Sequence, residues 1–234
     1  MCLIVLAHRA DERFPFVLAA NRDEDYERPS HSAGFWPDAP HILGGRDVLH
    51  GGSWLAITTS GRFAAVTNLR GAERRTRSRG ALVRDFVTSD VDARVFAENI
   101  LAHASEYSGF HLLIGQAGGE VVHVTPECWI ALPNGIHAIS NAPLGEEWPK
   151  TVIAAEAMPS MLGDAEELMR FLTTPRFTGS VESEIFIASE RYGTRASTVI
   201  VMDAREIVFS EQTYGKGGAP LRGYSRAFPI GSSV

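Results

Sequence analysis

Cys2 is the position in this 234-residue chain that carries the most chemistry. Met1 precedes a small side chain, so removal of Met1 makes Cys2 the first residue and sets its thiol beside a free α-amine. Such an amine has a pKa of about 8 in model peptides, low enough to leave a neutral fraction near physiological pH, and it can act as the thiol's own base. One residue then supplies nucleophile and base together. The same residue also reads as a small hydrophobe opening a core strand, since free cysteines are among the most buried residue types. A reactive cysteine further requires surroundings that favour thiolate.

Asn21, Arg22, Asp23 and Glu24 follow a short apolar run. A guanidinium placed near Cys2 stabilises thiolate and holds a substrate carboxylate, while Asp23 orients the arginine or the terminal amine. Without such placement the four residues are a solvated strand end with local ion pairs. Asn68 and Asn141 are candidates to donate an amide N–H to a developing oxyanion, a role that depends on their converging on Cys2, because asparagine is also an ordinary turn residue. Arg70, Arg74, Arg75, Arg77 and Arg79 crowd one stretch; they suit phosphate or carboxylate groups of a ligand, or a charged surface loop. His8, His31, His41, His50, His103, His111, His123 and His137 are dispersed and match no ligand motif, so no metal site is expected. Gly44, Gly45, Gly51 and Gly52 are not followed by a helix at phosphate-loop spacing, which excludes a Walker or dinucleotide site.

The elements that must position these residues follow from periodicity. Residues 2–9 are apolar and β-rich, Asp11, Glu12 and Pro15 mark a turn, and 16–20 are apolar again, which predicts a hairpin with the tetrad at its open end beside Cys2. Unbroken apolar runs place both strands centrally, covered on both faces. Residues 29–52 lack a period and read as a long loop with room for an edge strand. Residues 54–59 and 63–68 flank a Ser60-Gly61-Arg62 turn as a second hairpin.

Leu82, Val83, Phe86 and Val87, then Val91, Val95, Phe96 and Ile100, recur at helical spacing, with Ser89 and Asp90 available as caps. Short strands are expected at 110–115, 121–124, 129–132 and 136–140. Helices follow at 148–161, with Pro149 in the first turn, and at 165–172. A last hairpin spans 197–202 and 206–213. Strand blocks in hairpin order with paired helices predict an α+β fold of largely antiparallel sheet covered by helices. No linker or repeat interrupts it, so a single domain over 1–234 is expected.

Composition bounds the function classes. With 44% hydrophobic and 21% charged residues the chain is globular rather than disordered, and its two cysteines, of which Cys128 is expected as a packed core thiol, suit a reducing cytoplasm. A net charge of −6 argues against a nucleic-acid or anionic-membrane surface. No apolar run approaches the roughly 18 residues of a spanning helix, and the run after Met1 lacks a basic flank and meets His8 and Arg9, so neither a membrane span nor a signal peptide is expected.

Met1-Cys2, Asn21-Arg22-Asp23-Glu24 with Arg28-Pro29, Gly51-Gly52-Ser53-Trp54-Leu55, Thr67-Asn68, Arg79-Gly80 with Leu82-Val83, Ser140-Asn141-Ala142, Trp148-Pro149-Lys150 and Tyr192-Gly193-Thr194-Arg195 resemble, collinearly, the NRDE family. It is also called the transport and Golgi organisation 2 family. The resemblance implies an N-terminal-nucleophile hydrolase-like fold, a four-layer αββα sandwich. It implies Cys2 as nucleophile, Arg22 and Asp23 as the charged pair, and Asn68 and Asn141 as further catalytic candidates. Asn21, Glu24, Arg79 and Arg195 are then expected to bind substrate.

Cysteine members of the superfamily, such as penicillin V and bile-salt acylases, cleave linear non-peptide amides and space their charged pair as Arg-x-x-Asp. Here Arg22 and Asp23 are adjacent, and Asp25, which restores that spacing, lies outside the tetrad. The expected function is therefore a cofactor-free, Cys2-dependent hydrolase of a small non-peptide amide or thioester, its ligand bearing a carbonyl or carboxylate. The alternative is a carrier of haem or an acyl-CoA-like ligand, since the family is associated with haem trafficking and with acyl-CoA and lipid metabolism. No haem ligation motif is visible in the sequence.

Overall fold

The structure, a computed structural model, describes residues 2–73, 75–143, 145–175, 180 and 182–232. Its strands are β1 (Leu3–His8), β2 (Phe16–Asp25), β3 (Ser30–Trp36), β4 (Ala39–Asp47), β5 (Leu55–Thr58), β6 (Arg62–Asn68), β7 (Phe110–Gln116), β8 (Val121–Val124), β9 (Trp129–Ala131), β10 (Gly135–Ile139), β11 (Tyr192–Met202), β12 (Glu206–Tyr214) and β13 (Pro220–Pro229). The helices are α1 (Arg79–Val87), α2 (Ala93–Ala102), α3 (Pro149–Ala157) and α4 (Ala165–Thr173).

The chain forms two compact units, one of Met1–Arg28 with Asn134–Phe228, the other of Pro29–Pro133 with Pro229–Val234. A single domain was expected; in sequence, the sheet and core of the second unit lie between β2 and β10. Among the described residues no helix is long and apolar enough to cross a membrane.

In the first unit the sheet runs β10-β1-β2-β11-β12-β13. Every residue of β1 is buried, as its unbroken apolar run predicts. Because side chains alternate along a strand, Leu3, Val5 and Ala7 share one face with Val17 and Ala19 of the neighbouring β2, and that face packs on Ala154, Met158, Leu168 and Leu172. Pro149 presets the first turn of α3, and Asp164 caps α4 by accepting from the Glu167 N–H at 2.8 Å.

The second unit's sheet runs β3-β4-β5-β6-β7-β8-β9, strictly in chain order, under α1 and α2. Leu82, Val83 and Phe86 of α1 and Ala97 and Ile100 of α2 pack against Ile42, Ala64, Leu112 and Val122. The caps are Ser78 and Asp92 rather than the expected Ser89 and Asp90, since both helices begin at different residues from those the apolar spacing suggested. The loop before β5 lies directly on α1: Ser53 donates its N–H to the Gly80 carbonyl at 3.0 Å, and a Cβ on Gly52 would stand 2.4 Å from the Gly80 carbonyl carbon. Gly52→Ala is therefore expected to lower the unfolding free energy by about 1–3 kcal/mol, read from the urea midpoint, because backbone cannot yield as a flexible side chain would.

Each unit contributes one sheet and one helical layer, which are the layers expected. Three expectations are corrected. Residues 29–52 form the β3–β4 hairpin, whose register shifts at His31/Gly34 and Phe35/Trp36 erase the period-two signal. β13 adds a strand after the last expected hairpin; its nearly uniform exposure leaves no apolar alternation to read. Cys128 sits half-buried in the β8–β9 turn beside Thr125 rather than in the core, and both cysteines are free.

Candidate functional site

The tetrad lies inside β2, not beyond its end, and its first three residues are buried: Asn21 is 2% exposed, Arg22 8% and Asp23 6%. β11 pairs with β2 as far as Asp25, so the polar residues receive a second partner strand that the hydropathy of β2 alone does not announce. Register places Cys2 among them. Leu3 pairs with Asn21 on one side and Ile4 with Ile139 on the other, so one or two steps on Cys2 stands between Arg22 and Asn141. Alternation divides the tetrad, with Asn21 and Asp23 on the face that carries α3 and α4, and Arg22 and Glu24 on the opposite face with the Cys2 side chain.

Both main-chain groups of Cys2 are held by the two residues that follow β10. The Cys2 N–H donates to Asn141 Oδ1 at 2.6 Å, and Ser140 Oγ donates to the Cys2 carbonyl at 2.7 Å. The sulfur lies 4.0 Å from the Asp23 carbonyl oxygen. Burial pushes the Cys2 thiol above its ordinary range, and the Asp23 carboxylate adds to the shift. Arg22 pulls the other way, but burial prevails and favours the thiol over the thiolate. Any reaction at this sulfur would therefore need a base to take its proton.

Asp23 is fixed from β11. Thr194 Oγ1 donates to Asp23 Oδ1 at 2.7 Å while accepting from the Ile187 N–H at 3.0 Å, and the Tyr192 hydroxyl donates to the Asp23 carbonyl at 3.1 Å. Gly193 permits this approach, since a Cβ there would meet the Tyr26 hydroxyl at 2.2 Å and the Ile187 carbonyl oxygen at 2.4 Å. Burial raises the Asp23 pKa, with Lys150 and the Thr194 hydrogen bond acting against it.

The raised value fixes a sign. The folded state holds the Asp23 proton more tightly than the unfolded state, so this group's contribution is most favourable below the ordinary aspartate range and is lost as pH rises through the folded-state value. Asp23→Asn keeps an acceptor for Thr194 and removes the charge. Its melting temperature is expected to gain on that of the wild type as pH rises, and a gap that narrows with pH contradicts the assignment.

The other expected residues divide by location. Asn21 is tied into the protein: Nδ2 donates to the carbonyls of Leu172 at 2.9 Å and Ile185 at 2.7 Å, and Oδ1 accepts from Ser197 Oγ at 2.6 Å. Glu24 lies 4.0 Å from Arg22 and 3.7 Å from Arg28. Arg195 is the extra residue of a bulge in β11, and its Nη1 reaches the carbonyls of Asp25 (2.8 Å), Tyr26 (2.8 Å) and Arg28 (3.1 Å), closing the turn after β2. Asn68, at the end of β6, and Arg79, which donates to the Gly109 carbonyl at 3.3 Å, belong to the second unit. So do Arg75 and Arg77, paired with Glu73 and Glu106; Arg74 lies outside the described residues. No group of three or more His, Cys, Asp or Glu is disposed to hold a metal among the described residues.

Comparison with known proteins places the chain in a family and a fold. The family model Transport and Golgi organisation 2 matches residues 1–216. The chain belongs to that family. The Transport and Golgi organization protein 2 homolog of Homo sapiens is 30% identical over 244 residues, covering 86% of this chain and 87% of that protein. A variant of conjugated bile acid hydrolase from Clostridium perfringens superposes with a TM-score of 0.56 at 9% identity, covering 98% of this chain and 92% of the other. Penicillin V acylase from Agrobacterium tumefaciens gives 0.54 at 11% identity, covering 98% and 86%. The fold is that of the N-terminal-nucleophile hydrolases.

Within this family member, three residues that build the Cys2 surroundings stand in the sequence motifs without a role of their own: Ser140, Thr194 and Lys150. All three flank residues that were noticed, in Ser140-Asn141, Thr194-Arg195 and Pro149-Lys150. Lys150 is completely buried at the start of α3, and its signal was a lysine directly after a helix-opening proline.

Proposed function

We propose that the chain is a Cys2-dependent hydrolase of a small non-peptide amide or thioester, acting after removal of Met1. The observation that carries this reading is the 2.6 Å contact between the Cys2 nitrogen and Asn141 Oδ1, on the residue whose thiol lies among Arg22 and Asp23. In the processed chain that nitrogen is the α-amine. An N–H donated to Asn141 turns the amine lone pair away from Asn141, leaving it to receive the thiol proton.

The amine takes the Sγ proton as sulfur bonds to the substrate carbonyl carbon, and the carbonyl electrons move onto oxygen. Asn141, whose Oδ1 already accepts from the Cys2 nitrogen, offers its Nδ2 amide to that oxygen, and Arg22 adds positive charge on the thiol's face. Collapse of the tetrahedral species breaks the carbon–nitrogen or carbon–sulfur bond, with the amine returning its proton to the leaving group. Water, deprotonated by the same amine, then releases the acid and restores the thiol. The structural neighbours named as a bile acid hydrolase and a penicillin V acylase make the reaction class chemically reasonable on this fold.

A panel of N-acyl amides and acyl thioesters tests the reading, with wild type and Cys2→Ser compared for product release. Release that depends on Cys2 is the expected result. No release from any substrate, together with saturable haem or acyl-CoA binding that survives loss of the thiol, overturns it in favour of a carrier.

A further inference from the structure

Lys150 is placed where a lysine is expensive. It is one of two lysines among 22 basic side chains, the other being Lys216, and it is 0% exposed. Its Nζ has no hydrogen-bond partner among the described residues and lies 5.4 Å from the centre of the Trp148 ring. It also occupies the first turn of α3, where the helix dipole disfavours a cation. The main chain there is pinned, since the Lys150 N–H donates to the Glu182 carbonyl at 3.1 Å. A long flexible side chain normally carries its charge out to water. This one stays inside.

Asp23 stands on the face of β2 that carries α3, the helix in whose first turn Lys150 lies. Asp23 on β2 and Cys2 ahead of β1 act on Lys150, as do Glu182 and Glu184 from the segment before β11. We propose that Lys150 is a positioning residue for Cys2, its ammonium being the counter-charge that keeps the buried Asp23 carboxylate ionised and sets the field in which Cys2 reacts.

Burial drives Lys150 towards the neutral amine and Asp23 towards the neutral acid, and in each case the partner's charge acts against the shift. An ionised Asp23 alone would hold a proton on the neighbouring terminal amine; a cation beyond it offsets that field and leaves the amine able to accept from sulfur.

The inference rests on Cys2 as the reactive residue of the proposed hydrolase, and its test reads Cys2 without turnover. The rate of Cys2 alkylation by iodoacetamide is followed against pH, with the modified peptide quantified by mass to separate it from Cys128. In Lys150→Met, which keeps the side chain's length, the profile is expected to move up by about one pH unit or more relative to wild type. In Asp23→Asn/Lys150→Met, with both charges gone, it is expected to return to within about half a unit of wild type.

An unshifted Lys150→Met profile, or a double variant displaced as far as the single, overturns the proposal. Should the variants fail to fold, lysine carbon NMR of the wild type decides with two resonances to assign. An ammonium at Lys150 across the pH range where Cys2 ionises supports the proposal, and a neutral amine at neutral pH defeats it. A chain that shows the Lys150 shift yet hydrolyses nothing removes the hydrolase reading and leaves this one standing.

Discussion

Cys2→Ser is expected to lower turnover by at least about 10³-fold while leaving the melting temperature nearly unchanged. The two effects separate because of how Cys2 is held. Its fixed contacts are main-chain ones, the N–H to Asn141 and the carbonyl from Ser140, and both survive the exchange. Among the described residues the sulfur itself makes one long polar contact, 4.0 Å from the Asp23 carbonyl. Serine therefore keeps the geometry and loses the nucleophile, since a hydroxyl surrenders its proton to an amine far less readily than a thiol does. Turnover measured beside thermal unfolding checks this. A variant that retains activity rules out the thiol, and one that loses activity only by melting shows that Cys2 serves packing.

Asn21→Leu is expected to have the largest effect on stability, a loss of about 3–5 kcal/mol in urea unfolding, because three buried groups lose a partner at about 1–3 kcal/mol each before relaxation. The substitution preserves size but leaves the Leu172 and Ile185 carbonyls and the Ser197 hydroxyl without the Asn21 amide. Those three bonds join β2 to α4, to the segment ahead of β11, and to β11 itself. Asn21 thus ties down the elements that carry Asp23 and Thr194. If Asn21 instead served substrate, Asn21→Leu would raise KM at unchanged stability, and that outcome contradicts the structural role.

What could be read in advance follows from which forces are local. The β1–β2 hairpin and the four helices were legible because unbroken apolar runs and a 3.6-residue period belong to contiguous sequence. The burial of Asn21-Arg22-Asp23 was not, because it depends on pairing with β11, from which β2 is separated by most of the chain. Hydropathy ended β2 at Ala20, whereas hydrogen bonding carries it to Asp25. The β3–β4 hairpin was hidden for another reason, since bulged pairing breaks the alternation by which strands are recognised.

The site shows the same division. Cys2, Asn141, Arg22 and Asp23 were singled out by residue type and position, and the register of three strands brings them together. Arg195 was noticed, but its contacts are with the turn after β2. Lys150 stood in the Trp148-Pro149-Lys150 motif without a role, because nothing local distinguishes a buried lysine on a helix from an exposed one. Its meaning comes from Asp23 and Cys2, on different strands.

The central claim is that Cys2 is the first residue of the working chain and its nucleophile. Peptide-resolved mass spectrometry, applied to protein quenched in acid during reaction with an acyl amide or thioester, tests it most directly. The predicted result is an N-terminal peptide that begins at Cys2 and carries the acyl mass, with no such adduct in the Cys2→Ala chain. An N-terminal peptide that retains Met1, or an acyl group found elsewhere while Cys2 stays unmodified, contradicts it.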